Sequence, residues 1–328
     1  MPAFRAYRLS AAQPQPEGHF VDLDENALSP GDTLVRVAYA SVNYKDALAA
    51  AGRPGLIREY PRIGGIDLAG TIESSADASL APGTPVVVHG FGVGIDHDGG
   101  YAQFARVPAA WVLPIPAGLT MLDAATIGVA GYTSALSVDL MELNGLAPGN
   151  GPVVVTGATG GAASFAIDML HGRGHHVAAV TGKAGEADYL RSLGAAEVLQ
   201  RETFGPGTRP LDKATWAGAV DTVGGQTLAA VIRAMQLNGV IAAFGNAAGA
   251  ELPTTVLPFI LRGVRLIGVN GNSPMPLRTR IWQRLATDLK PQHMAAIRRV
   301  IGFRELPQAL AQVLAGGARG RFVIDVNA

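Results

Sequence analysis

Val153-Val154-Val155-Thr156-Gly157-Ala158-Thr159-Gly160-Gly161-Ala162-Ala163 is the stretch on which the reading of this sequence turns. Three β-branched apolar residues run into a turn built of small residues, and a helical pattern over 162–172 follows at once. Gly157, Gly160 and Ala163 stand three apart. Small residues let the backbone turn sharply and approach a pyrophosphate, whose charge the free N–H groups and dipole of the helix start then stabilise. The last small position lets helix and strand pack closely, and alanine serves there. The spacing is looser than G-x-G-x-x-G, and Gly-rich turns also arise for steric reasons alone, so the surroundings must decide.

Working outward, candidate strands recur at 152–156, 175–180, 196–199, 218–223, 239–245 and 264–269. Helical stretches at 162–172, 186–193 and 226–237 fit between most of them. Six strands separated by helices or loops predict an α/β fold with a doubly wound parallel sheet, the Rossmann arrangement, over 127–270. The second strand ends at Val180-Thr181-Gly182-Lys183. An NAD-selective site sets an Asp or Glu about twenty residues past the turn, on the ribose hydroxyls. Here Thr181 offers a hydroxyl, Gly182 a close backbone and Lys183 a positive charge, the groups that hold a 2′-phosphate; the alternative is a solvated lysine in a turn. Arg201, after the third strand, either reaches the same phosphate or faces water.

The first 126 residues are written differently. Short Val/Ile/Leu runs such as Thr33-Leu34-Val35-Arg36-Val37 and Thr84-Pro85-Val86-Val87-Val88 follow turn clusters at Ser29-Pro30-Gly31-Asp32 and Ala81-Pro82-Gly83. Short strands between turns predict a β-rich domain. Residues 123–143 read as helix interrupted at Gly128 and Gly131. The tail resumes the first style, with a helix over 305–316 and a last strand over 320–326 that returns to the N-terminal domain, so that 271–328 complete it.

Composition narrows the class. Lys plus Arg equals Asp plus Glu, at 26 each, so no charge excess points to nucleic acid or an anionic membrane surface. Cysteine is absent, which removes disulfides and thiolate metal ligands. Residues 1–10 lack the apolar core of a signal peptide, and no apolar run reaches bilayer length, so a cytoplasmic protein is expected.

Asn43-Tyr44-Lys45-Asp46, Gly64-Gly65-Ile66-Asp67-Leu68-Ala69-Gly70, Gly90-Phe91-Gly92-Val93-Gly94, and Ile127-Gly128-Val129-Ala130-Gly131-Tyr132-Thr133 are further marked stretches. So are His97 with Gly99-Gly100, Trp216-Ala217-Gly218-Ala219-Val220-Asp221-Thr222-Val223-Gly224, and Leu252-Pro253-Thr254-Thr255-Val256-Leu257-Pro258-Phe259-Ile260-Leu261-Arg262. Together they resemble the medium-chain dehydrogenase/reductase superfamily, in its zinc-free quinone-oxidoreductase-like branch, and within it the acrylyl-CoA reductase subfamily. The resemblance runs nearly end to end and implies a GroES-like catalytic domain beside the Rossmann domain, NADPH as cofactor, an α,β-unsaturated substrate and a homodimer. One local departure is Ala162-Ala163, where the family often carries Val-Gly.

The implied reaction is reduction of acrylyl-CoA to propionyl-CoA by hydride transfer to the β-carbon, with quinone or free-enone reduction as the alternative. A non-catalytic NADPH sensor is a third class, supported by no added partner-binding segment. The candidate cofactor set is Tyr44, Thr159, Gly160, Gly161, Ala162, Thr181, Gly182, Lys183, Arg201, Asn246 and Ile260. The candidate catalytic set is Tyr44, Asp67 and Arg321, and no metal ligands are expected; His89, His97 and Asp98 lack ligand spacing. Tyr44 either donates to the developing oxyanion or packs as an apolar wall; Asp67 either positions neighbours or caps a turn. Arg321 meets phosphates or solvent. Arg53, Arg58 and Arg62 either line an entry for CoA phosphates or form a solvated loop.

Overall fold

The computed structural model describes residues 3–13 and 15–328. The chain divides into two compact units, Met1–Val129 with Asn272–Ala286 and Arg298–Ala328, and Ala130–Gly271 with Thr287–Ile297.

The second unit is organised by Val153–Val155. All three valines are fully buried, as expected of a parallel strand covered on both faces, which tolerates no alternation of polar residues. It pairs in parallel with Val177–Thr181 on one side and Trp216–Asp221 on the other. The sheet extends outward to Glu197–Gln200 on the first side, and through Met235–Ala243 to Arg265–Gly268 on the second. The strand order therefore reverses beside Val153–Val155, and the turn after that strand opens at the reversal, where open α/β sheets bind ligands. Helix Gly161–Gly172 follows, buried at every position from Ala163 to Leu170. Its Asp168 accepts from the backbone N–H of His293 and contacts His293 Nδ1, both at 2.9 Å, which fastens Thr287–Ile297 to this unit.

Two expectations change here. Helix 226–237 ends early: it runs Gly225–Arg233, and Met235 already pairs with Trp216 as strand. Asn238 (φ 58°) looks like a strand boundary in the sequence, yet it lies inside Met235–Ala243. The ladder shifts register there, as a residue tolerant of the left-handed region allows. The interruption expected at both Gly128 and Gly131 occurs only at Gly128 (φ 45°, ψ −153°); helix Met121–Leu143 continues through Gly131.

The first unit is β-rich. Thr33–Ser41 pairs antiparallel with Asp67–Ser75 along one edge, and with Phe104–Val107 and Arg321–Asp325 along the other. Asp67–Ser75 continues to Pro85–His89 and Leu113–Pro114. The last strand thus returns to the N-terminal sheet, and Ile324 faces Ala40 in register. It also has a neighbour that the sequence conceals: Arg298–Gly302 pairs with it in parallel. A smaller sheet of Glu17–Leu23, Phe4–Ser10 and Arg62–Ile63 completes the unit. Among the described residues no helix is long and apolar enough to cross a membrane.

Candidate active site

In the second unit, Gly157 occupies φ 62°, and a Cβ there would run into the side chain of Thr222. That threonine is held close because its hydroxyl donates to the carbonyl of Thr156 at 2.9 Å. The Thr156 hydroxyl in turn donates to Asp221 at 2.7 Å, and Asp221 also accepts from the Gly224 N–H at 2.7 Å. Burial pushes the Asp221 carboxyl above its usual range. The turn is thus braced from below by neighbouring strand ends. Its upper side is open: Gly160 is exposed, and Gly161 and Ala162 are half-buried. Gly160 caps helix Gly161–Gly172 with extended backbone, and the N–H groups of the first turn have no carbonyl one turn back to bond. Small residues, open donors and a twelve-residue helix dipole fit a diphosphate.

Thr181 ends its strand buried, and its hydroxyl accepts the Lys183 N–H at 3.0 Å. Lys183 is half-buried, and burial lowers its pKa. Arg201 begins the 3₁₀ turn Arg201–Phe204, and its guanidinium lies over Gly182: a Cβ on that glycine would come within 3.0–3.3 Å of it. Thr181, Gly182 and Lys183 thus follow one another at the strand end, and the Arg201 guanidinium stands over the bare backbone of Gly182, an arrangement that would suit a doubly charged phosphate. Asn246 and Ile260 belong to this unit and are exposed, Ile260 by 69%.

In the first unit, Tyr44 opens helix Tyr44–Ala50 and is 42% exposed. What lies behind it is buried. The Asp46 carboxylate accepts from the Asn43 N–H at 2.9 Å, from Asn43 Nδ2 at 3.1 Å and from the Ile66 N–H at 2.9 Å. Asp67 accepts from the Ser41 N–H at 3.2 Å, Asn43 Nδ2 at 3.2 Å, the Val129 N–H at 2.9 Å and the Ser41 hydroxyl. Arg321 Nη2 closes on Asp67 at 2.7 Å, with both side chains 2% exposed, while Nη1 donates to Asn43 at 2.9 Å and Nη2 to the Ser41 hydroxyl. A Cβ on Gly128 would displace this pair, which is why only glycine breaks the helix there. Tyr101, 2% exposed, donates to the Ser41 carbonyl at 3.2 Å.

These groups titrate unusually. Burial, and then the neighbouring Asp67, push Asp46 up to about 7. Burial, with Asp46 and Asp67 beside it, drives the Tyr101 phenol well above its usual value.

Asp67 and Arg321 thus meet directly, and Tyr44 follows Asn43, which bonds both; Arg321 does not face solvent, its donors going to Asp67, Asn43 and Ser41. Asp67 is the centre of a polar knot rather than a local turn cap. Arg62 is not part of an exposed entry: it is 9% exposed and pairs with Asp98 at 3.3 Å, whereas Arg53 and Arg58 are exposed. His97 Nε2 contacts the Pro30 carbonyl at 2.9 Å, and His89 Nε2 takes the indole N–H of Trp282 at 2.9 Å. Among the described residues no three His, Cys, Asp or Glu gather as a metal site. Sequence reasoning passed over Ser41, Asp46 and Tyr101. Only Asp46 left a signal, its N3 spacing from Asn43, which is that of a capping box.

A family model described as an alcohol dehydrogenase GroES-like domain matches residues 29–117, and one described as a zinc-binding dehydrogenase matches 161–287. The chain is 46% identical over 303 residues to the acrylyl-CoA reductase AcuI of Ruegeria pomeroyi, covering 92% of each protein. It superimposes on Escherichia coli YhdH with bound NADPH at a TM-score of 0.96 and 43% identity, covering 98% of this chain and all of that one. Bacillus subtilis yhfP with NAD bound matches as well, at 0.96 and 41%, over 99% and 100% of the two chains.

Proposed function

The chain belongs to the medium-chain dehydrogenase/reductase family, and from that premise we propose that it is an NADPH-dependent reductase of a small α,β-unsaturated acyl thioester, acrylyl-CoA first among them. The observation that supports the cofactor choice is the Arg201 guanidinium over Gly182, next in sequence to Lys183, in a stretch 181–183 that carries no acidic side chain. Relatives of nearly equal similarity carry NADPH in one case and NAD in another, so overall likeness does not choose between them. A basic site gains nothing from NADH, which lacks the 2′-phosphate, whereas each charge-assisted hydrogen bond to that phosphate contributes roughly 1.5–3 kcal/mol.

Thr159, Gly160, Gly161 and Ala162 would hold the pyrophosphate on the open helix start. Thr181, Gly182, Lys183 and Arg201 would hold the 2′-phosphate. When bound, the cofactor supplies hydride to the β-carbon of the substrate. The chain's own part is to stabilise the charge that gathers on the thioester oxygen, and Tyr44, exposed at a helix start, is the donor assigned to that oxygen. Asn43, Asp46, Asp67 and Arg321 act as positioning residues, since their hydrogen bonds fix the backbone on both sides of Tyr44. No metal enters this scheme, and the cytoplasm is the proposed compartment.

The assembly proposed is a homodimer. Arg265–Gly268 is an edge of its sheet. Val256, Ile260 and Leu261 nearby in the chain are 58–69% exposed, and an unpaired edge with apolar neighbours favours pairing with a second copy.

The test is a side-by-side assay of NADPH oxidation with acrylyl-CoA, crotonyl-CoA, a free enone and a quinone. Acrylyl-CoA should give the highest kcat/KM; a quinone or free enone exceeding it would overturn the substrate assignment.

A further inference from the structure

The turn that carries Lys183 is tied at both ends to a single residue of the pyrophosphate turn. At its near end, the Ala158 N–H donates to the carbonyl of Val180 at 3.0 Å, immediately before Thr181. At its far end stands helix Ala187–Ser192, whose Tyr189 hydroxyl donates to the hydroxyl of Ser164 at 2.9 Å. Ser164 is fully buried, and its own proton goes to the carbonyl of Ala158 at 3.3 Å. The chain of bonds from Tyr189 through Ser164 to Ala158, and from Ala158 to Val180, makes a closed ring around residues 181–188. Everything expected to read the 2′-phosphate from this turn lies within that ring.

We propose that Tyr189 is a specificity-positioning residue: through Ser164 it fixes the turn after Thr181 against the pyrophosphate turn, so that Lys183 stands where a 2′-phosphate arrives. This rests on the reading that Lys183 meets that phosphate. The two hydroxyls have complementary roles: Ser164 accepts from Tyr189 and donates to Ala158, both through the one oxygen of its hydroxyl, a link that alanine lacks. A phenylalanine at 189 keeps the ring and its packing but opens the ring of bonds. The tie to the pyrophosphate turn at the far end is then lost, and a longer segment spreads Lys183 over more positions. Affinity for the adenosine core should be untouched, because the Ala158–Val180 bond remains.

Calorimetric titration of the cofactor-free protein with adenosine 2′,5′-bisphosphate and with adenosine 5′-monophosphate separates the two contributions without any turnover. Tyr189→Phe should lower the ratio of the two affinities by about three- to tenfold, the loss of one hydrogen bond's worth of order, leaving the monophosphate affinity within about twofold of wild type. Ser164→Ala cuts the same link from its other side and should give a similar loss, and the double variant should lose no more than either single one. Lys183→Ala, run alongside, tests the premise. An unchanged ratio in Lys183→Ala means that this turn does not read the phosphate at all. A lowered ratio in Lys183→Ala with an unchanged ratio in Tyr189→Phe and Ser164→Ala overturns the role of Tyr189 alone. Equal weakening of both ligands also overturns it, since that is the mark of general damage. Thermal melts of each variant show whether it is folded.

Discussion

Replacing Arg321 by Met should destabilise the first unit severely, and the structure sets the scale. Arg321 Nη2 lies 2.7 Å from Asp67, with both side chains 2% exposed. At an effective dielectric constant of about 20, the bare attraction at that separation is roughly 6 kcal/mol. Desolvation of the two ions offsets much of it, so the pair itself adds little over an apolar substitute. Removing one partner is different, because Asp67 is then left charged, buried and next to Asp46. Such losses run at about 3–5 kcal/mol. Methionine keeps most of the stem's length and packing, so the loss reports the charge and its hydrogen bonds to Asn43 and Ser41. For a domain of 150–250 residues, each kcal/mol moves Tm by about 2–4 °C, which gives a drop of roughly 6–20 °C. Calorimetric melts at pH 8 and pH 5 measure it. Asp67→Asn added to Arg321→Met should recover most of the stability. A loss below about 1 kcal/mol at pH 8, or a double variant as unstable as the single one, would refute the account of a charge trapped in the knot.

Three further outcomes are expected. Asp46 titrates near 7 in the folded chain, above its usual 3.8. Its contribution to stability is therefore complete in acid and is lost as pH rises through 7, so the wild-type melting temperature should fall from pH 5 to pH 8 more than that of Asp46→Asn; equal slopes would remove Asp46 as the cause. Tyr44→Phe should lower kcat about a hundred- to a thousandfold, the range for loss of one oxyanion donor, with little change in NADPH affinity; unchanged turnover would leave the oxyanion to backbone groups or water. Sedimentation at micromolar concentration should give a dimer, and a charged residue at Ile267, half-buried on the edge strand, should shift it toward monomer; a monomeric wild type would sink the pairing.

The doubly wound unit was legible because its signals are local. Val153–Val155 reads as a strand from three consecutive valines, and the small-residue turn marks where helix Gly161–Gly172 begins. Thr181, Gly182 and Lys183 were legible for the same reason: they are contiguous, and the strand before them fixes where they fall. Arg201 was a candidate only, since nothing in its neighbours says that its guanidinium crosses to Gly182. Strand Arg298–Gly302 was missed because two arginines open it, and its place is fixed by a partner, Arg321–Asp325, rather than by alternation. The knot behind Tyr44 was the least readable. Ser41 with Asp46, Asp67, Tyr101, Gly128 and Arg321 come from five separate parts of the chain, and a buried carboxylate is written with the same letter as an exposed one. Asn238 misled in the other direction: a turn-forming residue followed by glycine suggested a boundary, whereas the sheet absorbs it as an irregularity.

The last strand also sets an order of events during synthesis. Arg321–Asp325 fills a gap in the sheet beside Thr33–Ser41, and Arg321 neutralises a carboxylate laid down far earlier. A growing chain therefore exposes its first domain with an unfilled sheet edge and an uncompensated Asp67 until residues 321–325 have emerged. The six parallel strands, confined to 153–268, have no such wait and can close while translation continues. Ribosome-stalled chains ending just before Arg321 should therefore resist protease in the second domain while the first is cut, and addition of the final residues should convert both to the protected form. Residues 33–41 thus wait for a strand made far later, and for that interval their open edge is a segment of the chain in need of a chaperone.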